Sequence, residues 1–267
     1  MWTKCRSLIS ITGASRGIGR EIALEMAGRA AADSAFIVTA RTAPPLLRLK
    51  EDILQRLPTA RVFIVTGDMT EVDSAEQKRA LDEALEHAMK GAPYETLLLV
   101  HNAAFLGDGS RPARELNDAA GWLGFLGANL VSPALFNNAV LRHATQESFT
   151  GRRFVVNMSS SLAVEAHASF TQHACGKAAK EAFFRGLAAE ESSLRVLNYA
   201  PGMVMTDMYK EVQASSFDPS IREAFRASEA VESGRALTPS QTVKRLLDII
   251  DHDSFQSGAH VDYYDEA

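Results

Sequence analysis

Residues 12–19 read Thr12-Gly13-Ala14-Ser15-Arg16-Gly17-Ile18-Gly19, between a short apolar run and the start of an amphipathic stretch. We predict that Leu8–Thr12 is a buried strand and that Gly17–Ala32 is the helix after it. Gly13 permits a tight turn, Gly17 lets the backbone approach a ligand, and Gly19 permits close packing of helix and strand. Because N–H groups at the start of a helix attract anions, the stretch predicts a phosphate-binding turn.

The rest of the chain alternates apolar runs with longer amphipathic stretches, which predicts a Rossmann-type, doubly wound α/β fold: a parallel sheet of about seven strands with helices on both faces. The other predicted strands are Ala35–Ala40, Arg61–Thr66, Thr96–His101, Arg153–Met158, Leu194–Tyr199 and His260–Tyr264. The other predicted helices are Pro44–Leu57, Val72–Met89, Leu116–His143 with a bend near Pro133, Gln172–Ser192 and Pro239–Ile250. Met208–Ser233 has a broken helical pattern, and we expect a lid or substrate loop there.

The composition narrows the class of protein. The chain has 267 residues, of which 46% are apolar and 23% charged, so we expect a globular protein with a single domain over residues 1–267. A net charge of −5 argues against nucleic acid as a partner. Cys5 and Cys175 are too few for a disulfide framework, and no apolar run reaches the roughly 18 residues of a membrane span. We therefore expect a cytoplasmic location and no membrane or metal partner.

The three glycines have the spacing GxxxGxG, which differs from the GxGxxG of the longer dehydrogenases. In this the chain resembles the short-chain dehydrogenase/reductase family. The resemblance implies a nicotinamide cofactor and the transfer of a hydride to or from a carbonyl group.

The end of the second predicted strand indicates which nicotinamide cofactor to expect. An NAD site usually places an acid about 20 residues beyond the glycines, to bind the ribose 2′-hydroxyl. Here the strand ends in Ala40-Arg41-Thr42, without an acid. Guanidinium groups bind phosphate well, so Arg41 and Arg16 predict the 2′-phosphate of NADP instead.

Further cofactor contacts are implied by the resemblance. Gly67 and Asp68 follow the third strand, where the family contacts adenine, and Asn102-Ala103-Ala104 resembles its NAG element with alanine in place of glycine. The element from Pro201 through Val204 to Thr206, with Met208 after it, would close over the nicotinamide. Thr206 would hold the carboxamide of the cofactor, and Lys177 would bind its ribose.

The family's catalytic set is Asn, Ser, Tyr and Lys, with a YxxxK pair on one helix face. Asn129, Ser160 and Lys177 match three of these positions, but His173 stands where tyrosine belongs. Residues i and i+4 share a helix face, so His173 is expected to point with Lys177. A histidine can act as a general acid near neutral pH, although a nearby Lys⁺ disfavours its charged form. Asn129 is expected to position Lys177 through water.

Toward the C-terminus, the chain resembles the pterin-reducing members of the family, most specifically in Ser257-Gly258-Ala259-His260-Val261-Asp262. This resemblance implies NADPH-dependent reduction of the side-chain carbonyls of sepiapterin and 6-pyruvoyl-tetrahydropterin, in tetrahydrobiopterin synthesis. Asp262 would anchor the pterin by accepting hydrogen bonds from its amino and ring N–H groups. Ser160 would orient the carbonyl, and Ser161, His173 and Gly202 would contact the substrate.

Two alternatives remain open at this point. The protein could bind NADP and a pterin with little catalysis, because of His173, or it could be a general carbonyl or diketone reductase. The resemblance also implies a homodimer, joined through Leu116–His143 and Gln172–Ser192.

Overall fold

The computed structural model describes residues 4–91, 93–226 and 234–265. In this part of the chain, seven parallel strands form one sheet in the order β3-β2-β1-β4-β5-β6-β7. The strands are β1 Ser7–Ile11, β2 Ala35–Ala40, β3 Arg61–Thr66, β4 Thr96–His101, β5 Arg153–Met158, β6 Leu194–Ala200 and β7 His260–Asp262. The predicted Rossmann-type, doubly wound fold is therefore confirmed.

Helices cover both faces of the sheet. They are α1 Gly17–Arg29, α2 Ala43–Arg56, α3 Ala75–Met89, α4 Ala119–Leu126, α5 Ser132–His143, α6 Thr171–Glu190, α7 Asp207–Ser215, α8 Pro219–Ala224 and α9 Pro239–His252. One apolar core lies between the sheet and α1, α2 and α9, and a second lies under α3, α5 and α6. The central strands β1, β4, β5 and β6 are thus buried on both sides, which explains why they are continuous apolar runs.

Two predicted helices begin later than the sequence indicated. The helix predicted over Val72–Met89 begins at Ala75, because Ser74 accepts a hydrogen bond from the Gln77 N–H. The helix predicted over Leu116–His143 begins at Ala119, because Asp118 accepts one from the Ala120 N–H at 3.0 Å. A side-chain cap marks the first turn in both helices.

The predicted ends of four other elements are also corrected. The first helix ends at Arg29 rather than Ala32, the helix predicted to Ser192 ends at Glu190, and α9 extends to His252. The last strand ends at Asp262 rather than Tyr264, because the chain turns there. In that turn, the Tyr264 N–H bonds the Asp262 carboxylate at 3.0 Å and the Asp262 N–H bonds Asp265 at 2.8 Å.

The long helix 119–143 is interrupted by a π-helical turn over Gly127–Val131. Pro133 follows this turn and has no N–H to donate to the preceding turn, which is the physical reason for the predicted bend. By length and composition this helix would suit a membrane span, which the sequence analysis did not expect. In the structure it packs against α3 and α6, so we interpret it as a helix of the α/β layers.

The segment predicted as a broken helix over Met208–Ser233 contains α7 and α8, whereas residues 227–233 lie outside the described residues. Thr206 caps the start of α7, and Asp218 caps the start of α8. Both helices lie at the carboxyl edge of the sheet. The strand order reverses between β1 and β4 at the same edge, which is where ligands bind in this type of fold.

Candidate active site

A large cavity of about 2390 Å³ opens at the carboxyl edge of the sheet. It brings together most of the residues predicted from sequence. Those that line it are Gly13, Ser15, Arg16, Gly17, Ile18, Arg41, Thr42, Gly67, Asp68, Asn102, Ala103, Ser160, Ser161, His173, Lys177, Pro201, Gly202, Val204, Thr206, Met208 and Asp262. Ala14, Gly19 and Asn129 lie outside this lining.

The glycine turn leaves no room for side chains. Gly13 has φ +67°, and a Cβ added there would lie 2.9 Å from the Cα of Ala103. A Cβ on Gly19 would lie 2.5 Å from the carbonyl oxygen of Gly13, so Gly19 serves the packing of the turn rather than the cavity. Ala14 is fully buried beneath the turn. The open face of the turn is therefore backbone, as a phosphate-binding loop requires.

Asn102 has a role that the sequence did not indicate. Its side-chain amide donates to the carbonyl oxygens of Thr12 and Gly13, at 3.0 and 3.1 Å. The Thr12 hydroxyl in turn accepts from the backbone N–H groups of Asn102 and Ala103. The segment after β4 thus fixes the shape of the glycine turn after β1.

Positive charge surrounds the end of β2. The Arg41 guanidinium lies over the Phe105 ring, 5.8 Å from its centroid, and also lowers the pKa of Asp68. The largest cause of that lowered pKa is the hydrogen bond from the Thr70 N–H. Arg16 forms an exposed ion pair with Asp207 at 2.6 Å. Arg48 on α2 also lines the cavity, and no motif in the sequence indicated it.

His173 is buried on the wall of the cavity, and its Nδ1 has no hydrogen-bond partner in the described part of the chain. Burial lowers its pKa to about 3, and the neighbouring Lys177 acts in the same direction. The backbone of Phe105 and of Leu106 opposes this shift. Both causes favour the neutral imidazole near neutral pH, in the direction that the predicted proximity of Lys177 indicated.

Lys177 is also buried, one helical turn after His173. Its Nζ donates to the carbonyl oxygen of Met158 at 2.7 Å, and burial lowers its pKa to about 8. The carboxylate of Glu181, one turn further along α6, acts against that shift. Near neutral pH the ammonium thus keeps its charge and supplies the positive potential of the site.

Ser160 reaches the cavity from the end of β5. Its hydroxyl accepts a hydrogen bond from the Leu162 N–H at 3.2 Å, which starts a short 3₁₀ turn over Ser161–Ala163. The hydroxyl proton stays available for an oxygen in the cavity, as an orienting group requires.

Asn129 lies in the π-helical turn of the long helix, where its side chain bonds backbone groups. Its Oδ1 accepts from the Phe105 N–H at 2.9 Å, and its Nδ2 donates to the Phe125 carbonyl at 3.1 Å. The side chain therefore holds the segment after β4 against the long helix. That Asn129 positions Lys177 through water stays a prediction.

The substrate end of the cavity combines a carboxylate with aromatic rings. Asp262 lines it from the end of β7, and Gly202, with φ +74°, lies where a Cβ would meet Leu237 at 2.9 Å. The rings of Phe170, Phe225 and Tyr209 also line the cavity and contact one another, and no motif in the sequence indicated them. The Tyr209 hydroxyl is buried without a partner among the described residues.

The comparisons with known proteins agree with this geometry. The family model for short chain dehydrogenases matches residues 7–216. The chain belongs to the short-chain dehydrogenase/reductase family. It is accordingly an oxidoreductase, and His173 occupies the family's tyrosine position.

Relatives within this family cover nearly the whole chain. The sepiapterin reductase of Meriones unguiculatus is 36% identical over 256 residues, which cover 96% of this chain and 95% of that protein. The sepiapterin reductase of Rattus norvegicus is 33% identical over 255 residues, with the same coverage. A solved short chain dehydrogenase from Shigella flexneri, complexed with NADP, has a TM-score of 0.76 at 22% identity and covers 99% of each chain. A likeness at that identity shows the fold.

Proposed function

We propose that this protein is an NADPH-dependent reductase of pterin side-chain carbonyls, with sepiapterin and 6-pyruvoyl-tetrahydropterin as substrates, in tetrahydrobiopterin synthesis. The observation that carries the proposal is the meeting of Ser160, Lys177 and Asp262 at one cavity that the glycine turn closes on its other side. The identity to sepiapterin reductases over nearly the whole chain supports the same substrate class.

The residues present fit NADP. The backbone turn at Gly13 and Gly17 would hold the pyrophosphate, and Arg41 with Arg48 would hold the 2′-phosphate. Arg16 would also bind this phosphate once its ion pair with Asp207 is broken. Lys177 would bind the ribose, and Thr206 the carboxamide. When bound, the cofactor supplies the hydride that reduces the carbonyl carbon.

The carbonyl oxygen gains negative charge during reduction and must be met by donors. The Ser160 hydroxyl donates to that oxygen and orients it. The Lys177 ammonium stabilises the charge through its positive potential. The neutral ring of His173 supplies at most an N–H hydrogen bond, and because imidazole is shorter than a phenol, a water bridges to the oxygen. The proton transfer is accordingly slow compared with that of a tyrosine.

The experiment that tests the substrate class compares sepiapterin with a small diketone. Asp262→Ala removes the carboxylate that accepts hydrogen bonds from the pterin ring, which a diketone lacks. We expect KM for sepiapterin to rise at least about tenfold, while turnover of the diketone is unchanged. If the variant reduces both compounds as the wild type does, the protein is a general carbonyl reductase.

The buried, neutral state of His173 favours a second function: a protein that binds NADP and a pterin and catalyses little. Tight binding of NADPH and sepiapterin, without NADPH oxidation above background between about pH 5.5 and 8, would establish it. Failure to bind NADPH contradicts both functions.

We also propose a homodimer and a cytoplasmic location. The long helix carries apolar side chains toward solvent: Leu123 is 73% exposed, and Val131 and Leu135 are each 41% exposed. Such a face is typical of a subunit interface. Within the described residues neither cysteine forms a disulfide, in keeping with a reducing compartment. Light scattering of Leu123→Glu tests the dimer, since monomers should appear.

A further inference from the structure

A polar cluster formed by Ser159, Glu181 and His260 extends from the lining of the cavity to the buried side of α6. Glu181 is fully buried on α6, one turn after Lys177. Its Oε1 accepts hydrogen bonds from the Ser159 hydroxyl and from Nδ1 of His260, the latter at 2.6 Å. Its Oε2 accepts from Arg185 at 3.3 Å. Burying an unpaired carboxylate costs free energy, so Glu181 holds its hydrogen-bond partners in place. The cluster thereby connects α6 to the segments that carry Ser159 and His260.

Both ends of the cluster reach the cavity. Ser159 precedes Ser160, the residue that would orient the carbonyl, and His260 stands two residues before Asp262, the proposed pterin anchor. Residues i and i+2 of a strand share a face, so His260 and Asp262 are on one side of β7. The strand has three residues and pairs only with β6 in the described part of the chain. The bond from His260 to α6 therefore sets the rotation of this short edge strand.

We propose that His260, held by Glu181, is a positioning residue that keeps Asp262 directed at the pterin ring, so that pterin affinity depends on the proton carried by His260. This inference rests on the proposed function and deepens it: the substrate anchor gains a pH-dependent support. The charged pair joins β7 to the helix that carries His173 and Lys177, and thereby fixes the distance between the anchor and the reacting end of the cavity.

The direction of the pH dependence follows from the groups that face His260. The hydrogen bond to Glu181 raises the pKa of His260, and the charges of Asp262 and Asp265 on its own segment act in the same sense. From α6, Lys177 and Lys180 lie beside Glu181, and Arg185 bonds its other oxygen. Since the folded-state pKa is raised, the charged pair is intact below the ordinary pKa and is lost as pH rises through the raised value.

Three variants separate the charge of His260 from its hydrogen bond. His260→Asn keeps a donor near the Nδ1 position without a charge, whereas His260→Phe removes the donor. Glu181→Gln removes the negative partner. His252→Asn is the matched control, because His252 is an exposed histidine that bonds only its own helix at the Asp248 carbonyl.

Binding is measured by calorimetry, with sepiapterin added to the protein saturated with NADP⁺, so that no reduction occurs. We expect wild-type affinity to fall about fivefold or more between about pH 6 and pH 9. His260→Asn should bind with little pH dependence, and His260→Phe should bind about fivefold more weakly at pH 6. His252→Asn should behave as the wild type. Glu181→Gln should bind sepiapterin with little pH dependence, as His260→Asn does. NADP⁺ affinity should be unchanged in the two His260 variants and in His252→Asn, which also shows that they fold.

The possible failures are distinguishable. If wild-type protein binds NADP⁺ but no sepiapterin, the proposed function fails. If wild type and His260→Phe bind sepiapterin equally, or share one pH dependence, the positioning role is wrong although the pterin site stands. If His260→Phe also loses NADP⁺ affinity, its fold is disturbed and it cannot test the positioning role. Sepiapterin binding by the other two variants then tests it, because Glu181→Gln keeps the size of the side chain and His260→Asn keeps the hydrogen-bond donor.

Discussion

The nucleotide side of the cavity and its proton-donor side are built on different principles. On the nucleotide side the glycine turn is backbone, held by glycines and by the Asn102 amide, and Arg41 adds positive charge at the end of β2. On the proton-donor side His173 lines the cavity together with Lys177 and Ser160, where the family resemblance predicts a tyrosine. The glycine turn depends on backbone conformation, whereas the proton-donor side depends on one functional group.

We infer from this contrast that binding and chemistry can separate in this fold. A neutral imidazole is a weaker acid than a phenol, whereas the glycine turn does not depend on it. Burial is the main cause that lowers the pKa of His173, and a solvated histidine would titrate near neutrality. The following changes test whether the two sides are indeed independent.

The largest effect is expected for His173→Tyr. A phenol beside the Lys177 ammonium has a lowered pKa and donates a proton directly, so NADPH oxidation with sepiapterin should rise by about a hundredfold. His167→Tyr is the control, since His167 also lines the cavity but is half-exposed. Equal rates for wild type and His173→Tyr would mean that the imidazole, or a water bridge, is already a competent donor.

On the nucleotide side the corresponding change is Gly13→Ala. Alanine at φ +67° is strained, and its methyl group would press on the Ala103 backbone, so NADPH affinity should fall about tenfold or more. Gly28→Ala on α1 is the matched control, because a Cβ there meets nothing within 4 Å. Fluorescence titration with NADPH measures both. Similar affinities for the two variants would contradict the backbone cradle.

Arg41→Ala tests the choice of cofactor. Loss of a guanidinium at the end of β2 should weaken NADPH binding by about tenfold and leave NADH binding nearly unchanged, because only NADPH carries the 2′-phosphate. The ratio of the two dissociation constants is the measurement. An equal loss for both cofactors would mean that Arg41 acts through its contact with Phe105, and Arg48→Ala would then be the variant to measure.

A smaller effect is expected from pH. The pKa of Lys177 is lowered to about 8 and that of His173 to about 3. Between about pH 5.5 and 7, kcat should therefore show no inflection from His173, and it should decline a few-fold as Lys177 loses its proton above about pH 8. An inflection near pH 6.5 that disappears in His173→Tyr would show that the histidine titrates after all.

The sequence predicted the fold in detail where burial alone decides it. The bounds of β2, β3, β4 and β5 were predicted correctly, because each of these strands contains a continuous apolar run. The starts of α3 and α4 were not, because they depend on local caps from Ser74 and Asp118. A capping side chain affects only the first turn of a helix. The predicted starts rested on the spacing of apolar residues, which does not show where the cap lies.

The candidate site divides in the same way. Most residues carried by a motif meet at one cavity, whereas Ala14, Gly19 and Asn129 lie outside its lining. The contacts between distant segments were not predictable: His260 and Glu181 are 79 positions apart in the sequence, and Arg48 carries no motif. The π-helical turn directs the Asn129 amide to the backbone of Phe105 and Phe125, and local spacing does not encode that change of helical period.

The smallest effect is expected at the exposed ion pair between Arg16, in the glycine turn, and Asp207, at the start of α7. Exposed pairs contribute little to stability, so Asp207→Asn should change the free energy of unfolding by less than about 1 kcal/mol. The variant also releases Arg16 from α7, so NADPH affinity should rise slightly if Arg16 joins the phosphate site. Urea unfolding and NADPH titration together decide. Lower NADPH affinity would mean that the pair holds the glycine turn in shape, and that the turn and α7 are coupled through it.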